Sequence, residues 1–108
     1  MDPRPRYAGR VIGQYLKLPG TLRRALREDR RLALALYDRG VSIETVENAF
    51  VLALARRTFR SDSNRLEPIR SLHYFLPVIQ ELTEAPPDPE YLHYLKGRLV
   101  SAGVQQRP

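Results

Sequence analysis

Apolar positions recur at helical spacing over much of the chain. Ile43, Val46, Ala49, Phe50, Ala53 and Leu54 repeat in the i, i+3, i+4, i+7 order of a buried helical stripe. Val51, Leu52 and Ala55 widen that stripe, so this helix is expected at the centre of the fold. Ser42 stands before it as an N-cap, Glu44 and Glu47 lie towards the positive end of its dipole, and the pattern runs out near Arg60. A later run, Ile69–Glu84, sets Leu72, Phe75, Leu76, Ile79 and Leu82 at the same spacing behind a capping Ser71. Pro77 falls inside that run and removes a helical hydrogen bond, which predicts a kink near His73–Pro77 or a break into two short helices. Asp88-Pro89-Glu90 reads as a helix start, with Asp as cap, Pro in the first helical position and an acid in the first turn. Tyr91, Leu92, Leu95 and Leu99 then form an apolar face that runs to about Ser101, before Gly103.

The first 40 residues are less regular. Leu22–Arg39 is rich in the helix formers Leu, Ala and Arg and follows Thr21, a candidate N-cap, while Gly40 fits the left-handed position that ends a helix. Asp29 is a second candidate cap, and a helix starting there leaves residues 22–28 as a loop. Upstream, Pro3 and Pro5 favour extended backbone, and Gly9 and Gly13 each weaken a helix by about 1 kcal/mol. Residues 1–20 are therefore expected to be an irregular arm packed across the helices. Ser61–Pro68 reads as a polar loop. The expected fold is all-α: a small four-helix domain over residues 21–103, an N-terminal arm over 1–20 and a tail over 104–108.

Charge adds a direction to this picture. The chain has 108 residues, enough for one domain, and carries 18 Lys and Arg against 12 Asp and Glu. Residues 1–39 hold ten of the cations and four of the acids, so the whole excess of +6 lies in the first third. Sixteen of the cations are Arg, whose planar fork suits phosphate. A chain without cysteine has no disulfides, thiolate nucleophiles or cysteine-based zinc sites, and His73 and His93 are its only histidines. The longest mostly apolar run, Ala49–Ala55, is far short of the roughly 20 residues of a membrane span. A cytoplasmic protein without metal or cofactor is expected. Ser71, His73 and Asp88 lack the nucleophile elbow, oxyanion loop or metal spacing of a catalytic set, so an enzyme is not expected.

The candidate chemistry is binding. On a helical wheel Arg23, Arg24, Arg27, Arg30 and Arg31 fall within an arc of about 120°, roughly opposite Leu22, Ala25, Leu26, Ala33, Leu36 and Tyr37, with Leu34 as the exception among the arginines. Such a stripe can meet the phosphates of a nucleic acid, DNA before RNA. Arg10 and Lys17 are expected to extend it, with Tyr7 and Tyr15 available to stack on bases. Arg56, Arg57 and Arg60 form a secondary basic cluster at a helix C-terminus, where the dipole alone favours cations. Tyr74, Tyr91 and Tyr94 are spaced like core or interface residues. The competing class is a protein-interaction module that binds an acidic partner or forms an oligomer.

Two resemblances bear on function. Leu36-Tyr-Asp-Arg-Gly40-Val41-Ser42-Ile-Glu-Thr45-Val46 resembles the turn and second helix of a helix-turn-helix motif, although Leu36 replaces a small residue and Glu44 and Glu47 would repel phosphates. The order of this Arg-Gly-Val-Ser corner, Ile69-Arg-Ser-Leu-His-Tyr-Phe75 and a closing Tyr-Leu-x-x-Leu helix is similar to helical accessory domains of bacterial primosome proteins and plasmid replication initiators. The similarity covers about residues 29–100 and departs at Arg70-Ser71, where many of those domains have Asn-Pro. It implies contact with single-stranded DNA and protein partners, as a small accessory component of a larger replication or mobile-element assembly.

Overall fold

The computed structural model describes residues 2–22, 24–60 and 67–104. Arg23 and most of the expected Ser61–Pro68 loop lie outside them, as do residues 105–108 of the tail. The described chain forms α1 (Pro3–Lys17), α2 (Arg27–Asp38), α3 (Ile43–Thr58), a 3-10 turn (Leu72–Phe75), α4 (Leu76–Glu84) and α5 (Pro89–Ser101). Among the described residues there is no strand, only an isolated parallel bridge between Thr21 and Ile69. The all-α expectation holds, with five helices in place of four.

The extra helix replaces the irregular arm expected over residues 1–20. Asp2 caps α1 by accepting from the Arg4 amide at 3.0 Å, and Pro3 occupies the first turn, where a missing N–H costs nothing. Ala8, Val11 and Tyr15 line one side of the helix and are fully buried. That burial outweighs the propensity penalty of Gly9, which is exposed, and Gly13, which is half-buried. α1 lies antiparallel against α2: Arg4 pairs with Asp38 at 2.9 Å, and the Tyr7 and Tyr37 rings meet edge to face at 5.4 Å.

The start of α2 also departs from expectation. Thr21 does not cap a helix at Leu22. Its hydroxyl donates to the Leu18 carbonyl at 2.8 Å, closing the end of α1. The Leu22 amide donates to Ile69 O and the Ile69 amide to Gly20 O, so Thr21 is bridged to Ile69 in the segment before the 3-10 turn. α2 begins only at Arg27. Asp29 sits in its first turn, fully buried, and accepts from the Leu26 amide at 2.8 Å and the Leu72 amide at 2.9 Å. One carboxylate thus ties the start of α2 to the start of the 3-10 turn.

From Gly40 onward the expected helix starts and stops hold among the described residues, while Tyr91, expected on the apolar face of the last helix, is exposed. Gly40 is left-handed (φ 78°), and Ser42 accepts from the Thr45 amide at 3.0 Å. α3 packs against α1, α4 and α5 and buries Leu52, Ala53, Leu54 and Ala55 in succession, as a central helix must. Phe50 is buried edge-on to Phe75, with centroids 4.9 Å apart. Pro77 resolves into a break: the 3-10 turn, capped by Ser71, ends at Phe75, and α4 restarts with the proline in its first turn. Asp88 caps α5 as expected. Val104 is half-buried and packs on the core.

Candidate nucleic-acid interface

The arginine stripe forms in part. Arg27, Arg30 and Arg31 project from α2 at i, i+3 and i+4, all exposed, opposite the buried Asp29, Leu32, Ala33 and Leu36. Among the described residues no carboxylate pairs with these three. Arg24 is exposed in the bend before the helix, so it belongs to no helical stripe, and Arg23 lies outside the described residues. The five-residue arc required a helix from Leu22, and the pairing of residues 20–22 with Ile69 prevents one. Leu34, half-buried, continues the outer face of α2.

The expected extensions of the stripe point elsewhere. Arg10 donates to Glu47 of α3 at 3.3 Å, and Gln14 donates to the same carboxylate oxygen at 2.9 Å. Lys17 is exposed two turns beyond Arg10, on the same side of α1, towards α3 rather than α2. Tyr7 and Tyr15 are not base-stacking platforms. Tyr15 is fully buried beside Phe75, and Tyr7 is half-buried against Tyr37. Burial pushes both phenols up to about 12, helped at Tyr15 by the charge of Asp29.

Arg56 and Arg57 occupy the last turn of α3, where the dipole favours them, and Arg60 follows just after it. Arg56 forms a bidentate pair with Glu81 of α4 at 2.8 and 2.7 Å, which holds the Glu81 carboxyl below its ordinary range. Arg57 donates to the Glu67 carbonyl and lies over the Tyr74 ring. Arg56 and Arg57 therefore have structural partners. The same region gathers residues that the sequence spacing assigned to the core or an interface. Tyr74, Tyr91 and Tyr94 are 44%, 51% and 57% exposed, and the Arg98 guanidinium lies 4.0 Å from the Phe59 ring centroid. Nothing local in the sequence links these residues, because they come from the 3-10 turn, α3 and α5.

No family model, curated protein or solved structure matches this chain.

Among the described residues no three His, Cys, Asp or Glu side chains converge to hold a metal, and no helix is long and apolar enough to cross a membrane. Ser71 is engaged as the cap of the 3-10 turn, and His73 and His93 are exposed. A groove of about 600 Å³ between α1, α3 and α5 is floored by Phe50, Val51 and Leu54, with Glu44 and Glu47 among its lining residues. The helix-turn-helix corner exists as a turn, but α3 packs against α1, α4 and α5, and its opening turns show Glu44 to solvent, which phosphates would repel.

Proposed function

We propose that the protein is a non-enzymatic nucleic-acid-binding accessory component that meets phosphates through the outer face of α2. The observation that carries this reading is the placement of Arg27, Arg30 and Arg31. They stand exposed in the first turns of a helix, at the positive end of its dipole, where cations cost helix stability and acids support it. Stability alone gives no reason for three arginines there, whereas an anionic ligand does. The backbone amides of Asp29 and Arg30 already donate to the Leu26 carbonyl, so recognition falls to the guanidiniums rather than to bare N–H groups. Their planar forks suit phosphate oxygens, and Arg24 stands exposed just before them. Contacts of this kind position a protein without reading sequence. The similarity of residues 29–100 to primosome and initiator accessory domains supports DNA over RNA, and a place in a replication or mobile-element assembly.

Purified protein tests this reading through what travels with it. Nucleic-acid absorbance that a DNase removes, and binding that heparin and DNA compete away, is the expected result. Protein that carries no nucleic acid and shifts neither duplex nor single strands, yet loses an acidic protein ligand when the α2 arginines are changed, overturns it in favour of the protein-interaction module.

A further inference from the structure

The surface around the C-terminal turn of α3 is rich in arginine and tyrosine. Of the six tyrosines, Tyr7, Tyr15 and Tyr37 are buried or half-buried, and the three exposed ones all lie here. Tyr91 and Tyr94 stand one turn apart on α5 with nearly parallel rings, 6.4 Å between centroids and 26° between planes. Arg98 follows on the same face, with its guanidinium 4.0 Å from the Phe59 centroid and 6.0 Å from that of Tyr94. On the other side, Arg57 lies 5.7 Å from the centroid of Tyr74. Arg56 and Arg60 line both the hollow beside Tyr91 and the hollow beside Tyr74, which makes the surface continuous across α3.

Its charge is incompletely neutralised. Glu81 compensates Arg56, but Arg57 donates to a neutral carbonyl and the partners of Arg98 are rings. The large exposed side chains on it are aromatic. The exposed aliphatic residues Leu26 and Val100 lie elsewhere, Val100 on the opposite side of α5. Exposed rings interleaved with guanidiniums, without aliphatic anchors, suit a ligand that offers flat faces and negative charge together. Unpaired bases on a phosphate backbone offer both, whereas a duplex keeps its base faces stacked inside.

We propose that this arginine–tyrosine surface binds single-stranded nucleic acid, with Tyr74, Tyr91 and Tyr94 stacking on unpaired bases and Arg57 and Arg98 drawing the phosphates. The inference rests on the reading of the chain as nucleic-acid-binding, but not on the α2 arginines, and it turns a charge-reading protein into one that prefers single strands.

The test is fluorescence anisotropy with a labelled oligothymidylate and with a duplex of equal length. It compares the full chain with three variants: Tyr91→Ala/Tyr94→Ala, Tyr91→Phe/Tyr94→Phe, and Arg27→Gln/Arg30→Gln/Arg31→Gln. The tyrosines are more than half exposed, so the alanine pair retains the core. The alanine pair should weaken oligothymidylate binding by about fivefold or more for each base that stacks, and leave duplex binding unchanged. The phenylalanine pair, which keeps the rings, should bind like the parent. Oligothymidylate binding that the alanine pair leaves intact overturns the proposal, and if the α2 variant loses binding in the same assay the α2 reading survives alone. Equal losses on single strand and duplex also overturn it, as does a phenylalanine pair as weak as the alanine pair. If the tyrosine pair weakens single-strand binding and the α2 variant does not, this surface stands and the α2 reading falls. A parent chain that binds neither oligonucleotide ends both.

Discussion

Asp29 shows how much one side chain can organise. Its carboxylate is fully buried and accepts from two amides, Leu26 at the start of α2 and Leu72 at the start of the 3-10 turn. An Asn at this position keeps the shape but offers one acceptor oxygen, and its NH2 faces an amide that also donates. Asp29→Asn is expected to cost about 1–3 kcal/mol, the range for a buried donor left unmatched, read as a lowered urea midpoint. An unchanged midpoint would mean that those amides are served in another way. Tyr7 and Tyr15 make a second residue-level case. Both phenols are pushed up to about 12 from an ordinary value of 10.0, and neither hydroxyl has a hydrogen-bond partner among the described residues. A folded-state pKa above the unfolded one contributes stability that is complete below pH 10 and is lost as the pH climbs towards 12. Melting temperature should therefore fall across that window, and Tyr7→Phe/Tyr15→Phe should remove part of the fall. An identical alkaline profile in the double variant would contradict this account of the two rings.

At the scale of elements, α1 carries the clearest disagreement between propensity and packing. Its two glycines, Gly9 exposed and Gly13 half-buried, have open space where a Cβ would stand. In an outward-facing helix interior, Gly→Ala gains roughly 0.5–1 kcal/mol per site. Gly9→Ala/Gly13→Ala should therefore raise the melting temperature, with the gains adding. An irregular arm would show no such gain, so the pair of substitutions tests the helix itself. The sequence holds the signal for α1 as plainly as for α5. Asp2-Pro3 is the same cap-and-proline start as Asp88-Pro89, and both Asp side chains accept from the amide two residues on. What hid it was Pro5 and the glycines, which lower local propensity but leave the buried edge of Ala8, Val11 and Tyr15 intact. The late start of α2 was legible only as the alternative start at Asp29; what decides between the two starts is the pairing of Gly20 and Leu22 with Ile69, which no local pattern shows. The Gly40 corner, the Pro77 break and the caps at Ser42, Ser71 and Asp88 were legible because each is a local backbone demand met by adjacent residues.

Across the whole molecule, charge and burial divide the surface into two regions of interest. One is the outer face of α2, of which Arg27, Arg30 and Arg31 were legible by periodicity alone. The other is the arginine–tyrosine surface: its Arg56, Arg57 and Arg60 were legible as a basic cluster, but no local pattern announces that α3, the 3-10 turn and α5 bring them beside Tyr74, Tyr91 and Tyr94. The central claim is that the α2 arginines hold phosphates. It is tested most directly by the salt dependence of nucleic-acid affinity in Arg27→Gln/Arg30→Gln/Arg31→Gln. All three side chains are exposed and Gln is a good helix former, so the fold should be kept. Each phosphate contact contributes about −0.9 to the log–log slope on duplex DNA and about −0.7 on single strands. Loss of three contacts should flatten the slope by about 2.7 on duplex or about 2.1 on single strands, alike for every sequence tried. A folded triple variant with the parent affinity and the parent slope would contradict the claim.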